Sequence, residues 1–160
     1  MSSLLSQTET NRIPIHPPLA HITIGAYVTA AVCDTISITG IGGGDPQSLY
    51  KAATYALMIA TVALFLAVIS GFVDRAGNTS AGGRGRRIAN IHALIMSALG
   101  VIAIVELVLR RQVAANASAT HTPTVAYVLT LLILVLLVVG GRLGGMLVYQ
   151  LGAGTPARQR

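Results

Sequence analysis

Four stretches of this chain, each about as long as a membrane is thick, are almost free of charge. That limits the fold class more than any other feature. Ala52 to Val73 carries no charged residue, and neither does Thr124 to Gly141. Ile88 to Val105 has His92 alone as a basic or acidic group, and Pro17 to Thr39 is apolar or small apart from His21 and Asp34. A helix needs about 20 residues to cross a hydrocarbon core. Inside hydrocarbon every backbone polar group must be satisfied within the protein, which makes helices the natural choice. Only 10% of the residues are charged and 53% are hydrophobic, against about 25% charged in a soluble domain. The expected fold is all-α: one domain, a polytopic antiparallel bundle of four transmembrane helices embedded in the lipid bilayer.

The spans are expected at about 17–40, 48–74, 88–110 and 123–150, within a domain covering 16–152. Residues 1–15 form a polar N-terminal segment and 153–160 a basic tail. The N-terminal segment lacks a charged region followed by an apolar core, so no cleavable signal peptide is expected and the first span serves as its own insertion signal. Pro17 and Pro18 suit a helix start, and Pro123 suits the start of the fourth span. Gly40 to Pro46 (GIGGGDP) reads as a turn. It follows a helix rather than a strand and fits no nucleotide fingerprint.

The net charge of +6 raises the possibility of nucleic-acid binding, but its distribution argues against that. Arg12, Arg75, Arg84, Arg86, Arg87, Arg158 and Arg160 all fall on one side of a four-span topology, and Lys51, Arg110 and Arg111 on the other. The positive-inside rule assigns both termini and the middle loop to the cytoplasm. Cys33 is the single cysteine. It excludes an intrachain disulfide and a Cys-based metal site, and reads as a small packing residue.

Ionisable groups at membrane depth are costly and need partners. They sort into two layers. On the third span, His92, Glu106 and Arg110 fall within about 40° of one line at 3.6 residues per turn. Met96, Leu99 and Ala103 complete the stripe, which must face the bundle interior. Glu106 and Arg110 stand i and i+4 and can pair. On the first span, Asp34 shares a face with Thr23, Tyr27 and Ala30, while His21 points about 140° away. The layer of Asp34, Glu106 and Arg110, with Lys51 and Tyr127 nearby, reads as a structural ion-pair network, one arginine between two carboxylates. A proton or ion path is its alternative.

The other layer holds His16, His21, Asp74, His92 and Arg142 on the cytoplasmic side. Its simplest reading is a hydrogen-bonded polar cluster. The sharper reading is ligation, because imidazole is the commonest metal ligand and binds haem iron axially. His21 and His92 are then the ligands across a four-helix core, with His16, Asp74 and Arg142 around them. A non-haem metal held by histidines plus Asp74 lacks supporting H-x-x-x-H or E-x-x-H spacing. No Ser/His/Asp or Cys/His pattern points to nucleophilic catalysis. Gly140, Gly141, Gly144 and Gly145 give two overlapping G-x-x-x-G pairs, which let helix backbones approach closely. The readings are packing inside the bundle, room for a flat cofactor or lipid tail, or self-association.

Several short motifs recur in a fixed order: His16-Pro17, His21, Asp34, Gly71 to Asp74, His92, and Leu143 to Tyr149. In these the chain, from about Ile15 to Gly152, resembles the bacterial membrane-protein family labelled domain of unknown function twenty-two thirty-one. The resemblance implies a four-span domain of the bacterial inner membrane. Some members are fused to Rieske iron–sulfur domains, which implies a redox setting, though one cysteine cannot supply that cluster's two Cys ligands. Three functions are carried forward: a small redox module binding b-type haem or a metal at the His cluster, a non-catalytic accessory subunit of a larger membrane complex, and a proton or ion translocator.

Overall fold

The computed structural model describes residues 15–78, 83–116 and 119–151, with the side chains of 73–78 and 113–116 outside the described set. Residues 1–14, the tip of the middle loop, the basic tail 153–160 and the side chains of Asp74 and Arg75 therefore lie outside the described residues. The chain forms four α-helices: α1 (His16–Thr39), α2 (Pro46–Asn78), α3 (Arg84–Asn116) and α4 (Thr124–Tyr149). All four are long and apolar enough to cross a membrane.

Local chemistry sets the ends. Gly40 closes α1 in the left-handed conformation, φ 71°, and its N–H donates to the Ile36 carbonyl at 2.8 Å. Glycine takes this conformation without a Cβ penalty. Asp45 then caps α2, its carboxylate accepting from the Ser48 N–H at 2.7 Å, with Pro46 in the first helical position. That cap explains why α2 starts at Pro46 rather than at 48. The hydrogen bonds from Ser48, with Lys51 nearby, hold the Asp45 carboxyl below its usual 3.8.

The helices also run beyond the expected spans. At 1.5 Å per residue, the 33 residues of α2 and of α3 reach about 50 Å against a hydrocarbon core of about 30 Å. Arg84 to Arg87 and Gln112 to Asn116 extend α3 at its two ends. Hydropathy marks only the segment in lipid, whereas Arg, Ala and Gln continue a helix readily in water. The fourth helix is unbroken through its four glycines.

All four helices bury the same kind of seam. The inward residues are Thr23, Tyr27, Ala30, Asp34 and Ser37 on α1, and Tyr50, Ala53, Leu57, Ala60, Leu64 and Ala67 on α2. On α3 they are Leu99, Ala103, Glu106 and Arg110, and on α4 Ala126, Thr130, Ile133, Leu137 and Gly140. Spacings of three and four alternate throughout, the pattern of left-handed antiparallel bundles. Alanines in the α2 seam let α1 approach closely, and α1 with α2 is the most extensively packed pair. Each helix packs on its two neighbours around a ring. Among the described residues the backbones of the diagonal helices α1 and α3 do not approach each other closely, and long side chains bridge between them. Outside, the surface is apolar: Leu94 and Val138 are each 71% exposed. Soluble monomers rarely leave such surface contiguous, so this face belongs against lipid.

Candidate functional site

The bundle carries two polar clusters, one at each end. At the end formed by the C-terminal half of α1 and the N-terminal half of α4, the structure brings Asp34, Glu106 and Arg110 together. Each is at most 1% exposed. The Arg110 guanidinium pairs with both Asp34 oxygens and with Glu106 Oε1, from Nε at 2.9 Å and from Nη2 at 2.6 Å. It also donates to Thr54 Oγ1 at 3.2 Å and Thr130 Oγ1 at 3.1 Å. Thr122 donates to Asp34 Oδ1 at 2.8 Å. Thr130 Oγ1 lies 2.8 Å from Asp34 Oδ2 and 2.7 Å from Glu106 Oε1. The Tyr50 ring faces the guanidinium at 5.2 Å. Glu106 Oε2 is buried without a partner.

Thr54, Thr122, Thr130 and Tyr50 are absent from the sequence-based reading of this layer. Their signal is positional: Tyr50 and Thr130 occupy seam positions, where a polar group needs a partner. Of the two neighbours expected there, Lys51 points outward, and Tyr127 meets the Thr35 hydroxyl at 3.3 Å.

At the other end His16 and His92 face inward. His16 Nδ1 lies 2.8 Å from the Ala67 carbonyl oxygen on α2. His92 Nδ1 lies 2.9 Å from the Gly140 carbonyl oxygen on α4. Each ring rests where a glycine leaves space. A Cβ on Gly71 would lie 3.4 Å from the His16 ring, and one on Gly144 would lie 3.3 Å from the His92 ring. The two histidines are on diagonal helices, at the same end of the bundle.

His21 differs from expectation. It is exposed, and its Nδ1 is bonded to the Pro17 carbonyl of its own helix at 2.7 Å, so it does not face His92. The reason is register. His16 precedes Thr23 by one heptad and continues the buried seam, whereas His21 follows His16 by about 140° around the helix. Arg142 is also exposed. The glycine pairs divide: Gly140 and Gly144 face Met96 and His92 on α3, while a Cβ on Gly141 would meet nothing and one on Gly145 only Tyr149 of the same helix.

Two cavities adjoin these elements. One of about 180 Å³ is lined by Leu64, Phe65, Val68, Met96, Gly100 and Val101, one turn from His92. A wider apolar groove runs between α1 and α2 at Leu19, Met58 and Val62. Neither touches the Arg110 layer.

These features define a four-span membrane helix bundle with a buried polar cluster at one end and two half-buried histidines at the other. The chain belongs to the family described as predicted membrane protein (DUF2231), whose model matches residues 12–157. No curated protein and no solved structure matches it.

Proposed function

We propose that the protein is a small redox module of the membrane that carries b-type haem at its His end, with His16 and His92 as axial ligands. One observation supports this above the others: each of these rings has Nδ1 against a backbone carbonyl oxygen of a neighbouring helix. A carbonyl only accepts, so Nδ1 carries the proton and the neutral ring keeps its lone pair on Nε2. This is how ligating histidines are oriented in metal sites. No third His, Cys, Asp or Glu joins the pair among the described residues. Two imidazoles can be a complete set of protein ligands for a haem iron, whereas a bare metal ion such as zinc commonly takes three or four. The haem would supply one-electron redox chemistry when bound, while the chain's part is to orient the two half-buried imidazoles through their bonds to the Ala67 and Gly140 carbonyls. The cavity beside Met96, about 180 Å³, is below the ~300 Å³ at which small-molecule pockets begin. That cavity therefore does not itself seat a macrocycle, and the proposal rests on the orientation of the two histidines.

Exposed Arg84, Arg86 and Arg87 lie at the same end. They support an orientation in the bacterial inner membrane with that end, and both termini, in the cytoplasm. Arg142, exposed at this end, would be one cation available to the haem propionates. The test is an absorption spectrum of protein purified in mild detergent. A Soret band that shifts on dithionite reduction, with equimolar iron, supports the proposal. Colourless, iron-free protein from haem-supplemented cells overturns it.

A second reading, an accessory subunit of a larger membrane complex, is favoured by the outward Gly141 and Gly145, which leave room for a partner helix. Affinity purification at native expression level tests it, with a stoichiometric membrane partner for and a lone protein against.

A further inference from the structure

The Arg110 layer has more acid than base and more oxygens than hydrogens. Asp34 and Glu106 face one guanidinium, so the layer is net negative when all three are ionised. The other groups around it do not correct this. Tyr27 on α1 bonds Thr61 at 3.3 Å, and Tyr50 on α2 directs its hydroxyl to the Arg110 backbone carbonyl at 3.5 Å. Tyr127 on α4 is turned to Thr35. Cys33 is half-buried beside Asp34, and the nearest cations, Lys51 and Arg111, are exposed. An isolated excess charge buried in a bundle in lipid is strongly disfavoured.

Hydrogen-bond supply points the same way. Thr130 has one hydroxyl hydrogen, yet its oxygen sits 2.8 Å from Asp34 Oδ2 and 2.7 Å from Glu106 Oε1. Arg110 Nη2 has two hydrogens and three oxygens in reach: Asp34 Oδ2, Glu106 Oε1 and Thr130 Oγ1. One short O···O contact is left without a hydrogen.

We propose that Glu106, Thr130 and Asp34 form a binding site for one exchangeable proton, carried on Glu106. Asp34 accepts donors at both oxygens, from Arg110, Thr122 and Thr130, so its charge is well compensated. Glu106 Oε2 has none. With the proton on Oε1, Glu106 donates to Thr130 and Thr130 donates to Asp34 Oδ2. Each short contact then holds one hydrogen. Oε2 becomes a neutral carbonyl oxygen, less costly to leave bare than an oxygen of an ionised carboxylate. The layer reduces to a neutral Asp34–Arg110 pair plus a neutral acid. The proton comes from solvent water and returns to it, with no bond broken elsewhere. The inference concerns the end of the bundle away from the histidines and does not rest on haem.

Infrared spectroscopy of the full chain in liposomes at neutral pH tests it. Besides Asp34 the other acids of the chain are Glu9, Asp45 and Asp74, and the Glu106→Gln variant separates their bands from that of Glu106. The expected result is a protonated-carboxyl C=O band that shifts in D₂O and is lost in Glu106→Gln. Glu106→Gln, which mimics the protonated acid, is expected to melt at or above the wild-type temperature, whereas Asp34→Asn melts below it. Absence of the band from wild type, or its survival in Glu106→Gln, overturns the proposal. So does a band that vanishes when sodium replaces potassium at fixed pH, which assigns the site to a metal cation. A wild-type spectrum without the band overturns the proposal even if a variant does not fold.

Discussion

Replacing Arg110 with methionine removes the one cation from a buried layer while keeping an unbranched apolar side chain in place of its stem. Arg110 is 1% exposed and bonds Asp34, Glu106, Thr54 and Thr130. In Arg110→Met, Asp34 keeps its charge and loses its counter-ion, with only the hydroxyls of Thr122 and Thr130 left to hold it. Removing one partner of a buried ion pair costs about 3–5 kcal/mol, a large share of the roughly 5–15 kcal/mol that holds a domain together. Replacing all three charged residues with apolar ones removes the unpaired charge as well as the pair, and such replacements range from neutral to stabilising. The freed Thr54 hydroxyl already donates to its own helix at the Tyr50 carbonyl, 2.8 Å away. The triple variant Asp34→Leu, Glu106→Leu, Arg110→Met is therefore expected to regain at least half of what Arg110→Met loses. Far-UV circular dichroism during denaturant unfolding in detergent micelles measures both. Arg110→Met within about 1 kcal/mol of wild type would contradict the reasoning, because that is the scale of a surface pair. A triple variant less stable than Arg110→Met would contradict it too.

The fourth helix gives a paired prediction: Gly140→Ala brings its Cβ to 2.5 Å from Met96 Sδ, near the end of a flexible side chain that borders a cavity, and is expected to cost about 1 kcal/mol, the low end of overpacking. Gly141→Ala meets nothing within 4 Å and is expected to stabilise by up to about 1 kcal/mol, read from the same unfolding curves. Asp45→Ala loses the α2 cap and is expected to lower the melting temperature. Because hydrogen bonding lowers the folded carboxyl below its ordinary 3.8, the cap's contribution is fully present above that pH and lost as pH falls through the folded value. A melting-temperature difference between Asp45→Ala and wild type that persists unchanged in strong acid would refute this. Gly144→Val intrudes on the His92 ring, 3.3 Å from its Cβ position, and is expected to weaken haem retention more than Gly141→Val does.

The fold was legible because hydropathy and helical period act locally. Four uncharged runs specify four spans, and the α3 stripe from His92 to Arg110 needs no tertiary information. Helix ends were less legible. Asp45 with Pro46 is a cap written in plain residues, but the continuation of α2 and α3 into water leaves no hydropathy signal. Of the candidate site, the trio of Asp34, Glu106 and Arg110 could be read because buried charges must find one another. Thr122 could not, since it reaches Asp34 from the connection before α4, where no periodicity applies. The choice between His16 and His21 was within reach. Extending the spacing of Thr23, Tyr27 and Ala30 backwards by a heptad lands on His16, but Pro17 and Pro18 make the helix start look later than it is.

The claim that His16 and His92 form a ligand pair is tested most directly by the haem-to-protein ratio of three variants purified side by side. His16→Ala and His92→Ala are each expected to lose most of the haem that wild type binds. His21→Ala, altering an exposed ring bonded only to its own helix, is expected to keep it. Haem retained by His16→Ala and lost by His21→Ala would contradict the assignment, and equal retention in all three would contradict axial ligation by this cluster.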